Sequence, residues 1–64
     1  MKVRDIINLI DFPDQQKVAL YDYDVWDIVQ EDYADAIYLS MYDRDVKGIE
    51  IKDKILILNL EATK

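Results

Sequence analysis

Val3, Ile6, Ile7 and Ile10 recur at helical spacing, with Leu9 widening the stripe, while Lys2, Arg4, Asp5 and Asn8 fall off it. The pattern predicts an amphipathic helix of about two turns. Asp11-Phe12-Pro13-Asp14 ends it, because Pro13 lacks an N–H and pushes Phe12 out of the α region. So short a helix does not stand alone in water, so its apolar stripe must dock on something.

The period then changes to two. Lys17-Val18-Ala19-Leu20-Tyr21 reads as a strand, Asp22-Tyr23-Asp24 as a turn and Val25-Trp26-Asp27-Ile28-Val29 as a second strand, together a hairpin. Alternation with Ile28 gives Trp26 a core role. In residues 31–45, Ala34, Ile37, Tyr38 and Met41 fit a helical stripe that Asp32 caps, while Ala36-Ile37-Tyr38-Leu39 reads equally as extended. The region is read as an irregular connection holding short helical turns. Gly48-Ile49-Glu50-Ile51-Lys52 alternates, with Ile49 and Ile51 inward. Asp53-Lys54 makes a tight turn, and Ile55-Leu56-Ile57-Leu58-Asn59-Leu60 completes a second hairpin before a frayed tail, Glu61–Lys64. The expected fold is α+β: a short N-terminal helix packed on a four-stranded antiparallel sheet made of two β-hairpins, in a single domain spanning residues 1–64.

Ile55–Leu60 is apolar on both faces, and one helix covers only one face of a sheet. The second face is covered by the middle segment, by Tyr and Trp side chains of neighbouring strands, or by another chain, which makes Ile55–Leu60 a candidate homodimer contact. Size sharpens the question. With 64 residues, the core alone is marginal, and small domains often lean on a disulfide, a metal or a partner. The chain has no Cys and no His, which removes a disulfide and an ordinary zinc site and leaves oligomerisation. A hydrophobic fraction of 52% argues against disorder.

The net charge is −6, of which residues 25–45 carry −5. This balance repels phosphate backbones and anionic membranes, so neither direct nucleic-acid binding nor membrane docking is expected. A protein partner with a basic surface suits it better. No segment has the apolar length to span a bilayer, and the start lacks a signal-peptide pattern. The cytoplasm is the expected location.

The acidic run Asp22, Asp24, Asp27, Glu31, Asp32 and Asp35 invites chemical readings, each of which fails. A calcium loop starting at Asp22 needs Gly at its sixth position and Glu at its twelfth, where Asp27 and Tyr33 stand. Val18-Ala19-Leu20-Tyr21-Asp22-Tyr23-Asp24 has the strand and Asp-x-Asp of a haloacid dehalogenase-type phosphotransferase, but Trp26 replaces the expected Thr or Val and the chain is too short. Paired carboxylates for glycoside hydrolysis need a cleft that a chain this small hardly encloses. Ser40 and Thr63 have no His to activate them, and the lone Gly48 makes no phosphate loop. A non-catalytic protein without cofactor or metal is expected, with the acidic run as turn and solvated face.

Lys2-Val3-Arg4-Asp5-Ile6-Ile7, Val18-Ala19-Leu20-Tyr21-Asp22, Tyr33-Ala34-Asp35-Ala36-Ile37 and Asp43-Arg44-Asp45-Val46, followed by Ile49, Ile51, Lys52-Asp53 and Ile55-Leu56-Ile57, together resemble a group of small proteins carried by phages and other mobile elements of Gram-positive bacteria. The similarity spans most of the chain. Its motifs are structural, so the resemblance implies an origin and transfers no functional residues. Asp22-Tyr23-Asp24-Val25-Trp26 departs from it where a turn with Gly or Asn is expected.

Three functions follow as expectations. The first is a protein-interaction module, an accessory protein of a mobile element, meeting a basic partner through Asp22, Tyr23, Asp24, Asp27, Glu31, Asp32, Tyr33 and Asp35. The second is a DNA mimic of the anti-restriction or anti-CRISPR type, motivated by the charge of residues 25–45. The third is a structural homo-oligomer built through residues 55–60.

Overall fold

The computed structural model describes residues 1–63; Lys64, the end of the expected tail, lies outside the described residues. A helix α1 (Val3–Ile7) precedes strands β1 (Lys17–Asp22), β2 (Asp27–Tyr33), β3 (Val46–Lys52) and β4 (Ile55–Leu60), with short 3₁₀ turns at Ala34–Ala36 and Leu39–Met41. The α+β expectation holds, with one correction. The sheet order is β2-β1-β4-β3, and its two antiparallel hairpins join through a parallel pair, Val18–Asp22 of β1 against Leu56–Leu60 of β4. The sheet is therefore mixed.

The middle segment explains the parallel join. β2 ends at the opposite end of the sheet from where β3 begins, so residues 34–45 must climb its full length. In doing so they deliver Ala34 and Ile37, with Met41 and Tyr42 behind them, to the core. An all-antiparallel arrangement needs only a short link there and leaves these apolar groups nowhere to go.

Val3, Ile6 and Ile7 of α1 bury against Val18 and Leu20 of β1 and Leu58 and Leu60 of β4. Below its first turn the helix tightens, with Leu9 N–H donating to Ile6 C=O and Ile10 N–H to Ile7 C=O. This is the i→i−3 pattern of a fraying end. Leu9 consequently leaves the stripe and stands in solvent. The Lys2 N–H donates to the Asp5 carboxylate at 2.9 Å, and Arg4 and Lys2 form ion pairs with Asp43 and Asp45. These tie the helix to the chain entering β3.

Four other local expectations change. The second strand begins at Asp27 and runs to Tyr33, so Val25-Trp26 belongs to the turn; Trp26 has φ 56°. Trp26 is not a core residue: it is 71% exposed. Ile49 and Ile51 share the helix-side face with Leu58 and Leu56, their partners on β4, but α1 does not reach them, and Ile51 is 77% exposed. The tail is anchored as far as Thr63: Glu61 N–H donates to Asp45 C=O, and Thr63 bonds Asp24.

β4 is a central strand. Both its hydrogen-bonding edges are taken, by β1 and β3, so a second chain reaches Ile55–Leu60 only through side chains, Ile55 and Ile57 on the outer face or Leu56 on the helix side. Ile55 and Ile57 there are half-buried, flanked by Lys17, Ala19 and Tyr21 of β1 and by Glu50 and Lys52 of β3.

The β3–β4 turn is under strain. Asp53 and Lys54 have φ 52° and 66°, as a type I′ turn demands, yet neither is the Asn or Gly that such turns prefer. Replacing the pair with Asn-Gly is expected to stabilise the fold by about 1 kcal/mol, since left-handed backbone costs an ordinary L-residue roughly that much. A raised urea midpoint at unchanged m-value checks it.

Candidate functional site

The residues singled out by the sequence do not form one surface. Asp22 lies on the core side of β1 and is 6% exposed. Its carboxylate accepts two parallel bonds from the Arg44 guanidinium, at 3.0 and 3.1 Å, and one from Asp24 N–H at 2.9 Å. The Arg44 bonds hold the Asp22 carboxyl below its ordinary value against the opposing effect of burial. Asp24 accepts from the Thr63 hydroxyl at 2.6 Å and from the Thr63 N–H at 3.0 Å, and Arg44 approaches it at 3.6 Å. The Thr63 hydroxyl bond is the main reason that the Asp24 carboxyl is also lowered. Asp22 and Asp24 thus form an internal latch that holds the β1–β2 turn, the approach to β3 and the tail together.

Sequence reasoning missed Arg44, the centre of this latch. Besides the two aspartates, its guanidinium reaches the Glu61 carbonyl, and its own carbonyl accepts from Val3 N–H. One signal was available: Arg44 is the sole basic residue among residues 25–45. An acidic stretch with a single guanidinium invites the question of which carboxylate it pairs with.

The remaining candidates lie along the free edge of the sheet. Pairing with β1 places Tyr33, Glu31 and Ile28 beside Lys17, Ala19 and Tyr21 on the outer face, and Asp32 and Asp27 beside Val18 and Asp22 on the core side. Val29 is the extra residue at a bulge. The Asp27 and Asp32 carboxylates accept the N–H groups of Ile28 and Tyr33, and Asp35 sits exposed in the first 3₁₀ turn. Asp27, Glu31, Asp32 and Asp35 have no ion-pair partner among the described residues.

Above this edge stands an aromatic ledge. The rings of Tyr21 and Tyr23 meet edge-to-face at 5.0 Å, those of Tyr23 and Trp26 at 5.3 Å, and the Lys47 ammonium sits 3.8 Å from the Tyr23 ring centroid. Such contacts favour this mutual arrangement of the rings and the ammonium. Tyr33 lies at the other end of the face, under Lys17 at 5.9 Å.

No group of three or more metal-ligating side chains is gathered among the described residues. No helix among them is long and apolar enough to cross a membrane. Comparison with protein-family models, with curated proteins and with solved structures gives no match.

Proposed function

We propose that the protein is a non-catalytic interaction module that receives a basic protein surface on the outer face of its sheet, at the β1–β2 end. The observation that carries this reading is Trp26. It is exposed, packed edge-to-face on Tyr23, and carried on left-handed backbone that costs a non-glycine residue stability. A large aromatic held out in solvent at such a cost has the properties of a binding anchor. The unpaired acidic edge beside it supplies steering toward a cationic partner. The contact set on this face is Trp26, Tyr23, Ile28, Glu31 and Tyr33, with Asp27, Asp32 and Asp35 steering from the strand edge and its far side; Asp22 and Asp24 support it from within.

This reading is favoured over a phosphate mimic because the latch and the helix ion pairs consume Asp22, Asp24, Asp43 and Asp45. The free carboxylates left on the edge are too few to copy a duplex backbone. The sequence resemblance to mobile-element proteins points to a host or phage protein, met in the cytoplasm, as the partner.

Trp26→Gly separates binding from folding. It removes the ring but relaxes the left-handed backbone, so stability should stay within about 1 kcal/mol of wild type, the lost ring contact and the relieved strain being of similar size. A quantitative affinity capture from host lysate tests function. A protein retained by wild type should be depleted at least about tenfold, the usual consequence of losing a hot spot, both by Trp26→Gly and by joint reversal of Asp27, Glu31 and Asp35 to Lys. Equal retention by all three proteins removes the proposal.

A further inference from the structure

The open edge of β3 is the second unexplained surface. Lys52 and Ile55 flank the two-residue turn and exchange bonds within the hairpin, so Ile49 and Ile51 direct their N–H and C=O groups away from β4. The other end of this edge is closed: Val46 N–H donates to Met1 C=O at 2.7 Å, and Lys2 bridges Asp45. Among the described residues, only Ile49–Lys52 of this edge has no strand beside it. This stretch has no Pro, no bulge and no core-side charge, the devices that keep an edge from pairing. β2, by contrast, is protected by its Val29 bulge and its carboxylates.

Beside the free edge, on the helix side, lies a groove of about 660 Å³ lined by Ile10, Phe12, Gln16, Ile51, Lys54 and Leu56. Phe12 is largely exposed at its rim.

We infer that a second copy of this chain docks here, β3 against β3 in antiparallel register about a two-fold axis at Ile51, making one continuous sheet across a homodimer. Charge selects this occupant and this register. In a two-fold ladder centred on Ile51, Glu50 of each copy lies directly opposite Lys52 of the other, on the outer face, giving two opposite-charge cross-strand pairs. Centring the axis on Glu50 sets the two glutamates against each other. Centring it on Ile49 lays Lys52 of one copy against Val46 of the other, where Met1 and Lys2 already occupy the edge. On the helix side the two Ile51 side chains meet at the axis, between the paired grooves. A contact of this kind is isologous and closes at two subunits. It lies at the opposite edge from the contact face proposed above and does not rest on that proposal.

Sedimentation velocity across the micromolar range should show wild type shifting from monomer to dimer. Glu50→Lys and Lys52→Glu each place like charges opposite each other twice, and each should weaken association by about tenfold or more. The double variant E50K/K52E restores both pairs and should return association close to wild type. The chain has no Cys, so Ile51→Cys reports directly: paired residues across a ladder fall within disulfide reach, and mild oxidation should give a covalent dimer. Glu50, Ile51 and Lys52 are all exposed, so these variants fold. Trp26→Gly should dimerise as wild type does. Wild type that stays monomeric throughout, a charge swap that fails to rescue, cross-linking by Ile49→Cys in place of Ile51→Cys, or loss of the dimer in Trp26→Gly each overturns the inference.

Discussion

Leu58→Ala is expected to remove about 3–4 kcal/mol, the range for a Leu truncated in a core that cannot collapse around it. Leu58 has no exposed surface. It sits on the central strand between Leu20 of β1 and Ile49 of β3, beneath the apolar stripe of α1. Strands on both sides are held by backbone bonds, and the helix is held by the Val3 and Arg4 N–H groups donating to the Arg44 and Tyr42 carbonyls, so the surroundings collapse little into the void. A domain of this size has only about 3–10 kcal/mol to lose, and the melting temperature should fall by about 15–25 °C. Far-UV circular dichroism in urea is the suitable probe, because Trp26 is already solvent-exposed and its fluorescence changes little on unfolding. Ile57→Ala, one residue away on the outer face and half-buried, should cost about 1 kcal/mol by the smaller area it loses. Equal effects from the two variants contradict the assignment of the core to the helix side.

That core was legible in the sequence because its residues follow simple periods. Val3, Ile6 and Ile7 repeat as a helix must, Val18 and Leu20 alternate, and Leu56, Leu58 and Leu60 mark one face of the most apolar run. β2 was misplaced for a physical reason. An edge strand pairs on one side only and tolerates Gln30, Glu31 and Asp32, so it lacks the apolar alternation that marked the others. Val25-Trp26-Asp27-Ile28-Val29 shows that alternation but is half turn, and without Gly or Asn nothing announces the positive φ at Trp26. The parallel β1–β4 pairing depends on the path of residues 34–45 over the sheet, which no local pattern encodes. The candidate site divides in the same way. Tyr33, Glu31 and Asp35 are surface groups, as their polarity implies. Asp22 and Asp24 looked identical to them, and only a partner 22 residues along the chain from Asp22 distinguishes them.

That partner sets the remaining prediction. Arg44→Ala is expected to cost about 2–4 kcal/mol, because it leaves a buried carboxylate with its charge uncompensated. Arg44→Lys should recover only part of this, since an ammonium cannot reproduce the two parallel bonds to Asp22. Adding Asp22→Asn to Arg44→Ala removes the stranded charge, so the double variant should be more stable than the sum of the single losses predicts, with a coupling of about 1–3 kcal/mol. Acid provides an independent check. The Asp22 carboxyl is held below its ordinary value of 3.8 in the folded protein, chiefly by the Arg44 bonds. Between the folded and unfolded values the unfolded chain therefore binds more protons, and stability rises with pH there. The contribution of the latch is fully present above the unfolded value and fades as pH falls through the folded one. In urea titrations, wild type should lose stability steadily below pH 3.8, and Asp22→Asn, which has no proton to take up at this site, should show a shallower acid limb. Parallel acid limbs in the two proteins refute a stabilising role for the Asp22–Arg44 pair.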